Sequence, residues 1–140
     1  VYGWEMTLLE PVDYWRRVPP RWKPYWHFHN VPVNSALDSP DSPLRYIQQL
    51  AGPQDFVAFK LDIDHPDMEM PIALMLRDNP ELFSLVDEFF FELHFRCEVM
   101  TSCGWGKRVP SESHGLQLVR SQVLRYFIAL REKSGIRAHI

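Results

Sequence analysis

The stretch FVAFKLDIDHPDMEM, residues 56–70, changes character along its length, and the prediction of the fold starts from it. It begins as an apolar strand with hydrophobic side chains on both faces, and it ends in a group of acids, Asp62, Asp64, Asp67 and Glu69. A strand that is apolar on both faces is typical of a parallel sheet covered on two sides. In such sheets ligands bind beyond the carboxyl ends of the strands. The stretch therefore predicts a sheet strand that ends at a functional crevice.

Strands alternate with helices along the rest of the chain. Apolar, β-branched and aromatic runs predict strands at 1–6, 27–34, 56–64, 88–96 and 136–140. Helical spacing of apolar residues predicts helices at 43–51, from 71 to about 76, and at 116–134, with a shorter turn at 81–86. This order predicts an α/β fold with a doubly wound, mostly parallel sheet, formed as one Rossmann-like domain over residues 1–140.

Composition limits the classes of function. The chain has 140 residues and a formal net charge of −3, with 15 basic and 18 acidic side chains dispersed along it. Such a balance gives no electrostatic footprint for nucleic acid, and no apolar run approaches the roughly 20 residues needed to cross a bilayer. Cys97 and Cys103 match neither a metal knuckle nor a disulfide framework, so we predict two buried or idle thiols in a reducing compartment. We expect a soluble, intracellular protein without nucleic-acid binding or membrane insertion.

Polar side chains gather at the carboxyl ends of the strands at 56–64 and 88–96. If these strands are parallel neighbours, the groups that converge are Asp62, Asp64, Glu92 and His94. Carboxylate oxygens with an imidazole suit Mg²⁺, Mn²⁺ or Fe²⁺, so these four residues are the candidate metal ligands. Three of them, Asp62, Asp64 and His94, are also the candidate catalytic residues.

The same polar groups have a purely structural interpretation. They can cap strand ends, accept hydrogen bonds from loop amides, or pair with Lys60, Arg96 and Arg137. Two acids and a histidine on separate strands are a weaker signal than a fixed ligand motif, so both interpretations stay open.

Glu5 closes the first predicted strand. An acid at this point of a doubly wound fold holds the ribose hydroxyls of a nucleotide cofactor. That role requires a glycine-rich turn, and the six glycines nowhere form GxGxxG; only a lone GWG occurs, at 104–106. A surface acid on an edge strand is the alternative interpretation of Glu5.

The segment at 8–26 is crowded with proline and aromatic residues and is expected to be irregular. Its Trp/Pro-rich part, residues 14–26, is interpreted either as a packed cover over the sheet or as a surface that binds a protein partner. The second interpretation rests on tryptophan, tyrosine and arginine, the residues that most often anchor protein interfaces.

Several of these motifs together resemble a known family. VYGWEM, HFHNVPVN and DFVAFKLDID followed by MEM resemble the second acidic strand, the asparagine-bearing third strand and the fourth strand of FkbM-type S-adenosylmethionine-dependent methyltransferases. The run from KLDID through DEFFFELHF, GWG and GIRAH is similar to an algal-type eukaryotic branch of the same Rossmann-like fold. The family's first strand and glycine-rich loop have no counterpart in the sequence, so the fold is expected to be incomplete at the N-terminus, as part of a longer polypeptide.

The resemblance implies methyl transfer from S-adenosylmethionine to an oxygen or nitrogen of a small-molecule acceptor. It places Glu5 at the cofactor ribose and Asp62 and Asp64 near the methyl-transfer crevice, with an acid or His94 as general base. The alternative is a catalytically inactive accessory subunit, held to a larger assembly by the Trp/Pro-rich segment.

Overall fold

The structure is a computed structural model that describes residues 1–96 and 109–140. Two interpretations of the sequence fall outside these residues. Cys97 and Cys103, which were expected to be buried or idle thiols, are not among the described residues. The GWG motif at 104–106 lies outside them as well.

The described residues divide into two compact units, Val1–Arg45 and Tyr46–Ile140. Each unit contains a sheet of parallel strands, and helices lie between those strands along the chain. This arrangement confirms the α/β class and the parallel pairing. The organisation of residues 1–140 as one Rossmann-like domain stays a prediction.

The first unit begins with a two-stranded parallel sheet. Its elements are β1 (Tyr2–Trp4), α1 (Pro11–Arg17), a 3₁₀ turn (Lys23–Tyr25) and β2 (His27–His29). The rings of Trp4 and His29, which lie opposite each other in register, stack with their centroids 4.8 Å apart. The helix α1 corrects the expectation of an irregular segment at 8–26. Pro11 occupies its first position, where a fixed φ and a missing N–H are favourable.

The remaining elements follow in chain order. They are α2 (Pro43–Leu50), β3 (Ala58–Leu61), α3 (Pro66–Asp78), α4 (Pro80–Phe83), β4 (Glu88–Phe91), β5 (Glu112–Ser113), β6 (Leu116–Gln117), α5 (Arg120–Ser134) and β7 (Arg137–His139). The strands β5 and β6 form a small antiparallel hairpin. None of the helices in the described ranges combines the length and the apolar character that crossing a bilayer requires.

The sheet of the second unit has three parallel strands in the order β3, β4, β7. Because the strand order advances in one direction and parallel crossovers are right-handed, α3 and α5 are expected on the same face. Their contacts agree: the ring of Phe91 lies 6.1 Å from that of Phe127 on α5, and the Tyr126 hydroxyl donates to the Ala73 carbonyl on α3 at 2.9 Å. These buried side chains, with Phe89, belong to the core.

The other face of the three-stranded sheet carries exposed side chains. Lys60 on β3, Phe90 on β4 and His139 on β7 are all exposed, and the rings of Phe90 and His139 stack on each other at 4.4 Å. A doubly wound sheet has helices on both faces. In the part of the chain that the structure describes, one face of this sheet is covered by α3 and α5, so the doubly wound arrangement stays a prediction.

Several element boundaries differ from those expected. The helix predicted from residue 71 begins at Pro66, because the proline starts it and two acids occupy its first turn. The helix predicted from residue 116 begins at Arg120, since the preceding residues form the β5–β6 hairpin. That hairpin turns at His114 and Gly115, both with positive φ.

Candidate functional site

The carboxyl ends of β3 and β4 converge as the sequence predicted. The two strands pair in parallel with Leu61 opposite Phe91. Asp64 follows β3, His94 follows β4, and the His94 Nε2 lies 2.9 Å from the Asp64 Oδ1. Two of the predicted site residues are therefore in direct contact at the edge of the sheet.

The two members of this pair differ in their exposure to solvent. The Asp64 side chain is 60% exposed, whereas that of His94 is 8% exposed. Asp64 has a φ of 59°, a left-handed conformation that aspartate tolerates better than most residues. Its second oxygen, Oδ2, has no hydrogen-bond partner among the described residues. The pair thus presents a carboxylate to solvent with a buried imidazole behind it.

Asp62 and Glu92 do not join this contact. Asp62 pairs instead with Lys60 at 2.6 Å, and this hydrogen bond is the main cause that raises the pKa of the Lys60 ammonium. Pairing with Lys60 is one of the structural roles that the sequence left open for Asp62. The Glu92 amide donates to the Leu61 carbonyl at 3.2 Å, and its side chain is exposed.

The metal interpretation gains no support from the described residues. Within residues 1–96 and 109–140 no group of three or more histidine, cysteine, aspartate or glutamate side chains is arranged to hold a metal ion. Of the four predicted ligands, the structure brings only Asp64 and His94 into contact. The four-residue metal site therefore stays a prediction.

Glu69, one of the acids that end the stretch 56–70, is a buried residue to which the sequence analysis assigned no role. It lies in the first turn of α3, it is fully buried, and its Oε1 accepts the Ile63 amide at 2.8 Å. Its Oε2 has no hydrogen-bond partner among the described residues. Burial raises the pKa of the Glu69 carboxyl, against the lowering effects of the Ile63 amide and of His94. The signal in the sequence was its helical spacing with the core residues Ile72 and Leu76.

A cleft of about 390 Å³ opens beside Asp64, within the size range of small-molecule sites. Its walls are Asp64, His65, Pro66, Asp67, Arg96, Val109 and Pro110. The backbone amide of Arg96 donates to the Leu118 carbonyl at 2.7 Å, and its Nε donates to the Val109 carbonyl at 3.0 Å. These two bonds fix the arginine at the wall of the cleft.

The hairpin and the start of α3 are joined at the same cleft. The Ser113 hydroxyl donates to the Asp67 Oδ1 at 2.8 Å, and the His114 Nε2 lies 3.2 Å from the Asp67 carbonyl oxygen. Ser113 is buried, while Asp67 is exposed. Asp67 is thereby held at the cleft by one carboxylate oxygen, and its other oxygen has no partner in the described part of the chain.

Glu5 lies in the first unit, directly after β1, as predicted. Its amide donates to the His29 carbonyl at 3.1 Å, and its Oε1 accepts the Thr7 amide at 2.6 Å. The Asn30 side chain donates to the backbone carbonyls of Glu5 and Thr7, at 2.8 and 2.7 Å. The turn after β1 is therefore fixed by side chains, and the Glu5 Oε2 has no partner among the residues described.

The Trp/Pro-rich segment, residues 14–26, is partly packed and partly exposed. The Trp26 indole donates to the Tyr14 hydroxyl at 2.6 Å, and the ring of Tyr14 stacks on that of Phe28 at 3.8 Å. Trp22 and Tyr25 are 45% and 65% exposed. Packing thus accounts for part of the segment, and two of its rings stay accessible to a partner.

Comparisons with models of protein families, with curated proteins and with solved structures found no match to this chain. The function is therefore inferred from the residues and from the geometry of the cleft.

Proposed function

We propose that the chain is a methyltransferase-like domain that transfers a methyl group from S-adenosylmethionine to an oxygen or nitrogen of a small acceptor. The observation that carries the proposal is the contact between Asp64 and His94 at the carboxyl ends of two adjacent parallel strands, beside a cleft of about 390 Å³. Ligands of parallel sheets bind at this edge. The proposal includes the doubly wound arrangement that the resemblance implies.

Asp64 is the general base in this scheme. Its Oδ2 faces no competing donor among the described residues, so it can accept the proton of an acceptor hydroxyl or ammonium group. His94 holds the other carboxylate oxygen and fixes the orientation of Asp64 from the buried side. His94 is thus a positioning residue, and Asp64 is the catalytic one.

Glu5 and Asn30 are the residues that would hold the cofactor. When bound, S-adenosylmethionine supplies an electrophilic methyl group. Glu5 could accept one hydrogen bond from a ribose hydroxyl through its Oε2, which has no partner in the described residues. Its Oε1 already accepts the Thr7 amide. Asn30 braces the backbone of the same turn.

The test is transfer of label from methyl-labelled S-adenosylmethionine into a small-molecule cell extract by the purified chain. We expect labelled products with the wild-type chain and a loss of at least about 100-fold with Asp64→Asn, which removes the base. Asp13→Asn is the matched control, because Asp13 forms an exposed ion pair with Arg16 on α1. Equal activity in the wild type and in Asp64→Asn would refute the role of Asp64, and absence of labelled product would refute methyl transfer.

The second candidate function is that of an accessory subunit, favoured by the exposed rings of Trp22 and Tyr25. A photo-crosslinking residue at position 22 tests it, with one at the exposed position 132 of α5 as control. A specific adduct at position 22 alone, together with no methyl transfer, would support this function. Equal adducts at both positions would exclude a dedicated surface.

A further inference from the structure

Arg96 is a fixed cation without a carboxylate partner in the described residues. Its Nε donates a hydrogen bond to the Val109 carbonyl at 3.0 Å, and its backbone amide donates to the Leu118 carbonyl. Its two terminal nitrogens make no contact with a carboxylate within residues 1–96 and 109–140, although it lines the cleft together with Asp64 and Asp67. A planar guanidinium that is fixed in this way is suited to a carboxylate held by two parallel hydrogen bonds.

The cleft carries charges of both signs. A simple anion would be attracted by Arg96 and repelled by Asp64 and Asp67. A simple cation would be attracted by the two aspartates and would leave Arg96 without a partner. Each of the two aspartates keeps one carboxylate oxygen without a partner in the described residues, because the other oxygen is held by His94 or by Ser113. The cleft therefore matches a small molecule that carries both charges.

We propose that the acceptor is an amino-acid-type zwitterion, with its carboxylate on Arg96 and its ammonium group between Asp64 and Asp67. The proposal rests on the proposed function, because it uses Asp64 as the base of the same site. The ammonium proton passes to the Asp64 Oδ2. The nitrogen lone pair then forms the new N–CH₃ bond while the S–CH₃ bond of the sulfonium breaks, its electron pair stays on sulfur, and Asp64 releases the proton to water.

Binding is measured by ligand-observed NMR with the full chain and each of the twenty common L-amino acids. The amino acid that binds most tightly is then compared with its amide, which lacks the carboxylate, and with its des-amino acid. We expect the zwitterion to bind at least about tenfold more tightly than either analogue. Arg96→Gln should weaken its binding by about tenfold and leave that of the amide unchanged. Asp67→Asn should weaken the binding of the zwitterion and that of the amide by similar factors.

Arg125→Gln, an exposed arginine of α5 outside the cleft, is the matched control, and Arg96→Lys keeps the charge without the planar fork. Thermal unfolding of each variant verifies that it is folded. The inference is overturned if no amino acid binds more tightly than both analogues, or if Arg125→Gln weakens binding as much as Arg96→Gln. Binding with this pattern but without methyl transfer would refute the proposed function alone. Methyl transfer without this pattern would refute only the class of acceptor.

Discussion

Asp64 combines a left-handed backbone conformation with a fixed side chain, and both features depend on its residue type. Asparagine also tolerates a φ of 59° and still offers an oxygen to His94. We therefore predict that Asp64→Asn keeps the stability of the wild type, whereas Asp64→Val, with a branched Cβ and no acceptor, loses about 2 kcal/mol. Urea denaturation measures both. Equal losses in the two variants would show that the left-handed conformation is not what constrains this position.

Glu69 makes the stability of the fold depend on pH. Its carboxyl pKa is raised above the ordinary value of 4.5, chiefly by burial. Between 4.5 and the raised value the folded chain binds more protons than the unfolded chain, so the free energy of unfolding falls as pH rises through this window. Glu69→Gln removes the titrating carboxyl, so the free energy of unfolding of this variant should fall less as pH rises.

Chemical denaturation between about pH 4 and about pH 8 checks this prediction on the wild type and on Glu69→Gln. Glu132→Gln is the control, because Glu132 is an exposed glutamate on α5. A pH dependence that is the same in Glu69→Gln and in the wild type would contradict the assignment. So would a change of equal size in Glu132→Gln.

At the scale of elements, α5 is held to the sheet by one face. Phe127 is fully buried against Phe91, while its neighbour Ile128 is 50% exposed. We predict that Phe127→Ala costs about 3–5 kcal/mol through the cavity it leaves. Ile128→Ala should cost about 0.5 kcal/mol. Thermal or urea unfolding measures the loss of stability in each variant. Similar losses at both positions would mean that α5 does not pack through this face.

The end of α5 is set by Gly135. Its φ is 74°, and a Cβ added at this position would have no neighbouring atom within 4 Å. A substitution by alanine therefore lowers stability through backbone strain and not through a steric clash. We predict that Gly135→Ala costs about 1 kcal/mol, measured by urea unfolding. Gly52→Ala, where φ is not positive and the new Cβ meets Asp55 at an ordinary 3.5 Å, should change stability by less than about 0.5 kcal/mol. The reverse order of the two losses would contradict this assignment.

Short elements of the fold left no usable signal in the sequence. The strands β5 and β6 have two residues each, too few for an alternation of apolar and polar positions to appear. The helix α1 has no buried residue, so it lacks the apolar stripe that reveals longer helices. Longer elements with one buried face, such as α5, were recognised although their boundaries shifted.

At the scale of the whole molecule, the edge of the sheet where Asp64 and His94 meet was predictable. It follows from two apolar strands that turn polar at their ends and from the rule that such strands pair in parallel. The pairing of Asp62 with Lys60 was one of two open interpretations. The sequence pattern alone does not show whether an aspartate pairs with a nearby ammonium group or binds a metal ion. The burial of Glu69 was missed because the helix was predicted to begin at residue 71, which left this acid outside the helix whose apolar spacing it shares.

The most direct measurement of the central claim, that this chain carries a methyltransferase-type site, is calorimetric titration with S-adenosylmethionine. We predict saturable heat with the wild type, similar affinity in Asp64→Asn, and affinity weakened by about tenfold in Glu5→Gln, since Glu5 is the proposed contact to the ribose. No saturable heat with the wild-type chain would contradict the claim.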